Sequence, residues 1–200
     1  MRLKMMTMGL ALSACCLASV GSVAASAQMK MDEPMKMGAT TPAKALDELL
    51  SLYEQEAMGV VKTMPADKYN FAPSAAIFAP GQGARFATVR TFVQQVTHVA
   101  EANYYFYSAV GGMKPDVDVK AIETITTKDQ AVAALAASFA FAHKAIATIT
   151  PENAFEPIKP IDGQSTRATL AAFGVAHGYD HYGQLVEYLR MNGIVPPGSK

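Results

Sequence analysis

Residues 177–190 read HGYDHYGQLVEYLR, and the two histidines of this run, His177 and His181, are four positions apart. On an α-helix that spacing places both side chains on one face, with their β-carbons about 6 Å apart. Leu170 precedes the pair and Leu185 follows it at helical spacing, so the histidines fall on an apolar stripe. Buried imidazoles need partners, either separate hydrogen bonds or one shared metal ion. The run therefore predicts a long amphipathic helix that carries a candidate metal site.

His98 is the candidate third ligand. It lies two turns into the second predicted helix, on one stripe with Gln94, Glu101, Ala102 and Tyr105. Three neutral imidazoles from two helices leave coordination positions open, as in catalytic rather than structural metal sites. Glu101 and Asp180 each lie one helical turn from one of the three histidines. Either could orient an imidazole, supply a fourth ligand or simply be a solvated carboxylate. His143 has no second ligand near it in the sequence, so we expect it outside the site.

Four segments have helical periodicity, and capping or breaking residues bound each of them. They run from Pro42 to about Met64, from Phe92 to about Val110, from the Thr127 capping box to about Ile149, and from Ser165 or Thr166 to about Met191. Residues 65–90 form a long connection between helices one and two, and no segment alternates with a period of two. Four long helices without strands predict an all-α fold, a four-helix bundle over residues 41–200.

The N-terminus has the basic start, apolar middle and A-x-A ending of a secretory signal peptide. We expect cleavage after Ala27 and a periplasmic or secreted protein. Two alternatives stay open. LSAC (residues 12–15) resembles the processing site of lipoproteins, where Cys15 would become lipidated and attach the protein to a membrane. Alternatively, the apolar run could remain uncleaved as a membrane anchor. Residues 28–40 form a flexible lead-in. Its four methionines, from Met29 to Met37, either bind copper(I) or belong to an exposed tether.

Composition narrows the classes of partner and ligand. Both cysteines, Cys15 and Cys16, lie in the leader, so the mature chain has no thiol for disulfides or metal binding. Loss of residues 1–27 removes Arg2 and Lys4 and no acidic residue, which leaves 15 basic against 17 acidic side chains. Without a basic excess or a basic run, nucleic acid is not an expected partner. The remaining length fits one domain.

Three motifs together resemble the DinB-like (YfiT-like) family of metalloenzymes. They are MPADKYNF (residues 64–71), the single histidine in VTHVAEANY (residues 96–104) and HGYDHYGQLVEYLRMNGIVPP (residues 177–197). The resemblance covers residues 42–198. It implies a four-helix bundle in which His98, His177 and His181 hold a divalent ion, with zinc, nickel, manganese or iron as candidates.

The resemblance implies an enzyme, but it does not name the substrate. Members resemble thiol transferases in which a bound metal activates a low-molecular-weight thiol. Export would remove the reducing thiol pool, so hydrolysis of a small molecule, with Glu101 or Asp180 as base, is a second possibility. A non-catalytic protein that binds or buffers metal in the cell envelope is the alternative from a different class. Haem is disfavoured because the chain has no C-x-x-C-H motif. Apolar outer helix faces would allow a homodimer.

Overall fold

The structure, a computed structural model, describes residues 40–74, 80–81 and 89–199. Its helices are α1 (Pro42–Thr63), α2 (Phe92–Gly111), α3 (Val119–Ile122), α4 (Lys128–Ile146) and α5 (Arg167–Met191), and its strands are β1 (Pro157–Ile161) and β2 (Gln164–Thr166). In this part of the chain no helix combines the length and hydropathy that a membrane span requires. The predicted signal peptide, the Cys15 lipidation site and the methionine-rich lead-in lie outside the described residues.

The described residues are mostly helical, which confirms the all-α part of the predicted fold class. Helix α2 packs against α4 and α5, and α1 packs against the same two helices, so α1 and α2 lie diagonally across the core. Aromatic side chains fill much of the centre, and the largest fully buried ones include Tyr53, Tyr69, Tyr104, Tyr107, Phe92 and Phe139. The predicted third helix is shorter than expected, since α4 ends at Ile146 rather than near Ile149.

Local capping explains where the helices begin. The Thr41 hydroxyl accepts the Lys44 amide at 3.2 Å, and Pro42 occupies the first turn, where its missing N–H costs little. Helix α2 has a full capping box, in which Thr91 and Gln94 each accept the other's backbone N–H at 3.3 and 2.9 Å. Both helix starts agree with the sequence prediction.

The chain that follows α1 returns to the start of α2. The Phe92 amide donates to the Phe71 carbonyl, and the Val93 amide to the Tyr69 carbonyl, both at 2.8 Å. These are donors that the first helical turn would otherwise leave without a partner. The segment therefore fixes the beginning of α2, and with it the position of His98 less than two turns later.

The prediction that the chain has no strands was wrong for residues 157–166. Strands β1 and β2 pair antiparallel, and Ile161 lies opposite Gln164. Between them Asp162 and Gly163 have positive φ values of 47° and 79°. An Asp-Gly pair with two positive φ angles is the tight turn that matches the twist of a β-hairpin. The hairpin leads directly into α5 and contacts it.

The start of α4 also differs in detail from the prediction. Thr127 is the N-cap residue, but its hydroxyl donates to Gln130 Oε1 at 2.8 Å and caps no backbone N–H. Lys128 stabilises the junction instead. Its ammonium group donates to the carbonyls of Lys62 and Met64, both at 2.8 Å, and so joins the start of α4 to the end of α1.

Candidate metal centre

The structure brings together the three histidines that the sequence singled out. One ring nitrogen from each of His98, His177 and His181 lies within 4.8 Å of the others. The Nε2 atoms of His177 and His181 are 3.2 Å apart. Two nitrogens bound tetrahedrally to one zinc ion at about 2.05 Å would be separated by about 3.3 Å. The spacing of this pair therefore fits a shared ion.

Tight packing of α5 holds the two histidines in place. Phe106 of α2 and Phe173 of α5 lie against the His177 ring, with centroid distances of 5.3 and 6.4 Å. The next residue, Gly178, faces the buried ring of Tyr53 on α1. A β-carbon at position 178 would lie 2.3 Å from Tyr53 Cζ, so only glycine allows this approach. The four-residue spacing places both imidazoles on one face of α5. The absence of a side chain at Gly178 lets α5 come close to α1.

A directional chain of hydrogen bonds orients His181. Its Nδ1 lies 2.8 Å from Gln95 Oε1, and the Gln95 amide donates to Gln184 Oε1 at 2.6 Å. The Gln184 amide then donates to the Asp180 carboxylate at 3.1 Å. A carboxylate only accepts, so it sets the direction of both amides and places the His181 proton on Nδ1. The lone pair is left on Nε2, the atom that faces His177.

Burial keeps the cluster uncharged. It lowers the pKa of His98 and of His181 to about 4, and it also lowers the pKa of His177. The Arg90 guanidinium acts in the same direction on all three imidazoles, although nearby carboxylates partly oppose the shift at His177. At neutral pH the rings are therefore neutral and offer lone pairs, as metal ligands must.

Two cavities open onto the cluster. The first is polar, has a volume of about 440 Å³ and is lined by residues that include Arg90, Gln94, His98, Glu101 and Glu123. The second, of about 350 Å³, shares His98, Glu101 and Glu123 with the first. It adds His177, the apolar and aromatic side chains of Ala102, Tyr105, Phe106 and Val119, and the charged side chains of Lys120 and Asp162. The buried His181 forms the back of the centre, whereas His98 and His177 border open space.

A family model supports the resemblance of the sequence motifs. The model of the DinB superfamily matches residues 38–185. The chain belongs to the DinB superfamily. The matched region includes the three clustered histidines. No curated protein matches the chain.

Neither candidate carboxylate of this DinB protein belongs to the cluster of converging ligand atoms, which contains histidines alone. Asp180 instead ends the hydrogen-bond chain that orients His181. Glu101 borders both cavities, and its Oε1 is buried without a hydrogen-bond partner among the described residues. Burial raises the Glu101 pKa, Glu123 raises it further, and Arg90 opposes them. Of the two candidate carboxylates, Glu101 is therefore the one at the open side of the centre, where Glu123 also lines both cavities.

His143 lies away from the centre, as expected from the sequence. Its Nδ1 lies 2.5 Å from Asp47 Oδ1 and its Nε2 lies 3.0 Å from Glu54 Oε2. Both carboxylates are on α1, so His143 joins α4 to α1. In this member of the DinB superfamily the fourth histidine therefore bonds two carboxylates of α1 and takes no part in the candidate metal centre.

Proposed function

We propose that this DinB protein is a metal-dependent enzyme that acts on a small molecule in the cleft beside His98 and His177. The observation that carries the proposal is the open side of the three-histidine cluster, where two cavities meet. Among the described residues no carboxylate closes the cluster as a further ligand. A protein that only stores or buffers metal gains nothing from a cleft at the coordination site, whereas an enzyme needs one for its substrate.

The chemistry that a divalent ion supplies at such a site is a lower pKa for a bound water or thiol, which becomes a nucleophile near neutral pH. Residues of the chain orient the metal ligands and offer a proton acceptor. Gln95 holds His181 in one tautomer. Glu101 borders the cleft, one of its carboxylate oxygens is buried without a partner among the described residues, and burial raises its pKa, which favours proton uptake relative to an exposed glutamate. Hydrolysis and thiol transfer both need such a proton acceptor.

Metal content tests the first part of the proposal. Protein purified from its native compartment should contain close to one equivalent of zinc, nickel, manganese or iron by elemental analysis. His177→Ala should lose this ion, because it removes one of the three ligands. His143→Ala is the matched control, since it removes an imidazole that lies outside the cluster. Equal metal content in the wild type and His177→Ala would refute the proposal.

The open coordination side has its own test. Cobalt(II) should give the protein a visible absorption spectrum, and azide or 2-mercaptoethanol should change it by entering the coordination shell. A response to 2-mercaptoethanol with a sulfur-to-cobalt charge-transfer band would favour thiol transfer over hydrolysis. If neither small ligand changes the spectrum, the site is closed, and the buffering protein becomes the better account.

We also propose that the protein works outside the cytoplasm, on the basis of the leader at residues 1–27. Mass spectrometry of protein from the periplasmic or secreted fraction should find Gln28 at the N-terminus. A lipidated N-terminal Cys15 in the membrane fraction would support the lipoprotein alternative. Full-length protein in the cytoplasm would contradict export altogether.

A further inference from the structure

Arg90 places a positive charge beside the proposed cation site, in a cavity that Glu101 and Glu123 also line. The side chain lines the polar cavity together with His98 and Glu101. Among the described residues it forms no salt bridge. Because neither glutamate forms a salt bridge with it, the guanidinium is free to bind an anionic ligand, which would also screen its repulsion of a divalent ion.

The backbone of Arg90 is held in place. Its carbonyl accepts the Tyr188 hydroxyl of α5 at 3.0 Å, and the next residue, Thr91, is the N-cap of α2. The guanidinium therefore projects from a junction of the two helices that carry the three histidines. The exposed side chain remains free to contact a ligand that enters the cleft.

The second cavity is more apolar than the first, although the charged side chains of Lys120, Glu123 and Asp162 also line it. Phe106 and Val119 line it, and it meets the polar cavity at His98 and Glu101. A molecule that spans both cavities would have its polar end near Arg90, its apolar end near Phe106 and its middle beside the histidines. Such a molecule is larger than water or a metal ion and has two chemically different ends.

We infer that Arg90 binds an oxyanion of the substrate, a carboxylate or a phosphate, while the apolar cavity receives a hydrocarbon or aromatic part of the same molecule. This inference rests on the proposed function. It adds the substrate class: a small amphipathic acid whose charged group lies between the guanidinium and the metal. The planar guanidinium suits this role because it donates two parallel hydrogen bonds to either oxyanion.

The test uses the cobalt-loaded protein and three probes of similar size: phenylacetate, benzylphosphonate and the neutral phenylacetamide. Titration of the visible spectrum, or calorimetry, gives a dissociation constant for each. We expect at least one of the two anions to bind about 10- to 100-fold more tightly than the amide, as for a charge-assisted hydrogen bond. The preferred anion distinguishes a carboxylate substrate from a phosphate one.

Substitution of Arg90 decides whether the guanidinium causes the preference. Arg90→Gln should bring the affinity for the anion down to that for the amide, and Arg90→Lys should keep part of it, because it retains charge but loses the planar pair of donors. Arg190→Gln is the matched control, since Arg190 is an exposed arginine that pairs with Glu187 on α5 and does not line either cavity. It should bind all three probes like the wild type.

Two outcomes would overturn the inference. Equal affinity of the wild type for the anions and the amide would show that the cleft does not select an oxyanion. Unchanged anion affinity in Arg90→Gln would show that the metal alone binds it. In both cases the response to azide would persist, so the proposed function would survive. A protein that takes up no cobalt would refute the proposed function and this inference together.

Discussion

Asp180, Gln184, Gln95 and His181 form one chain of hydrogen bonds that ends at the candidate metal centre. Because the carboxylate can only accept, each amide in turn has one possible orientation. The chain spans α5 and α2, so it holds the imidazole to the opposite helix as well as fixing its tautomer. The contact of Gln95 with His181 is buried, and water cannot easily replace it.

Gln95→Leu should therefore weaken metal binding without removing a ligand. Loss of a group that orients a metal-bound imidazole typically costs about 10- to 100-fold in affinity. Competition with a chelating dye would measure the change. Asn103→Leu is the control, because it removes another buried amide of α2 that bonds Ser138, away from the histidines. Unchanged affinity in Gln95→Leu would mean that the chain does not support the centre.

Gly178 and Gly183 offer a matched pair of glycines within α5. Gly178→Ala would force a β-carbon into the buried Tyr53 ring and should destabilise the fold by about 1 to 3 kcal/mol. At Gly183 a β-carbon meets nothing within 4 Å, so Gly183→Ala should stabilise the helix by about 0.5 to 1 kcal/mol. Urea unfolding would measure both changes. Similar effects at the two positions would mean that α5 does not approach α1 at Gly178 as closely as the structure shows.

The three histidines could be found from the sequence because metal binding by imidazoles depends on residue type and helical spacing. Gln95 and Gln184 were missed, since 89 positions separate their bonded side chains and glutamine carries no metal-binding signal of its own. One clue was present: Gln95 lies within the apolar run of α2, and its side chain is buried. A polar residue at a core position needs a partner, but the sequence does not say which.

At the scale of elements, helix starts were more predictable than the structure of the connections. Capping by Thr41, Thr91 and Thr166 is a local interaction, so its pattern is visible in the sequence. The hairpin was missed because Pro157 and Pro160 disrupt the alternation that marks a strand. Its Asp-Gly turn was the available signal. The short α3 was not predicted either, and it lies against α2 and contributes Val119 to the apolar cavity.

The contact between α1 and α4 should depend on pH through His143. Burial lowers the His143 pKa, but hydrogen bonds to Asp47 and Glu54 outweigh it and leave the pKa raised. A raised pKa in the folded state means that the contact stabilises the protein below the unfolded value of about 6.5 and that this stability is lost as the pH rises through the folded value.

His143→Gln should therefore destabilise the protein more at pH 6 than at pH 9. The difference should be about 1 kcal/mol or less, because the three side chains are partly exposed and solvent screens the pair. Urea unfolding at both pH values would measure it. Lys144→Gln, which changes the neighbouring exposed residue, is the control and should not show this dependence. An equal effect of His143→Gln at both pH values would contradict the charged contact.

At the scale of the whole molecule, the candidate metal centre links two helices that are distant in the chain, since His98 belongs to α2 and the other two ligands to α5. A ligand that binds only the folded arrangement stabilises it in proportion to the logarithm of its concentration. The neutral rings need no energy to lose a proton before binding, because their lowered pKa values already keep them unprotonated at neutral pH.

Addition of zinc to metal-free protein should therefore raise the melting temperature. At a free concentration about 100 times Kd the gain is about 2.7 kcal/mol, which corresponds to roughly 5 to 10 °C for a domain of this size. Differential scanning calorimetry with zinc and with EDTA would measure the shift. His177→Ala should melt at the same temperature in both, whereas His143→Ala should keep the full response, because its imidazole lies outside the cluster. An equal shift in His177→Ala would place the stabilising ion elsewhere in the molecule.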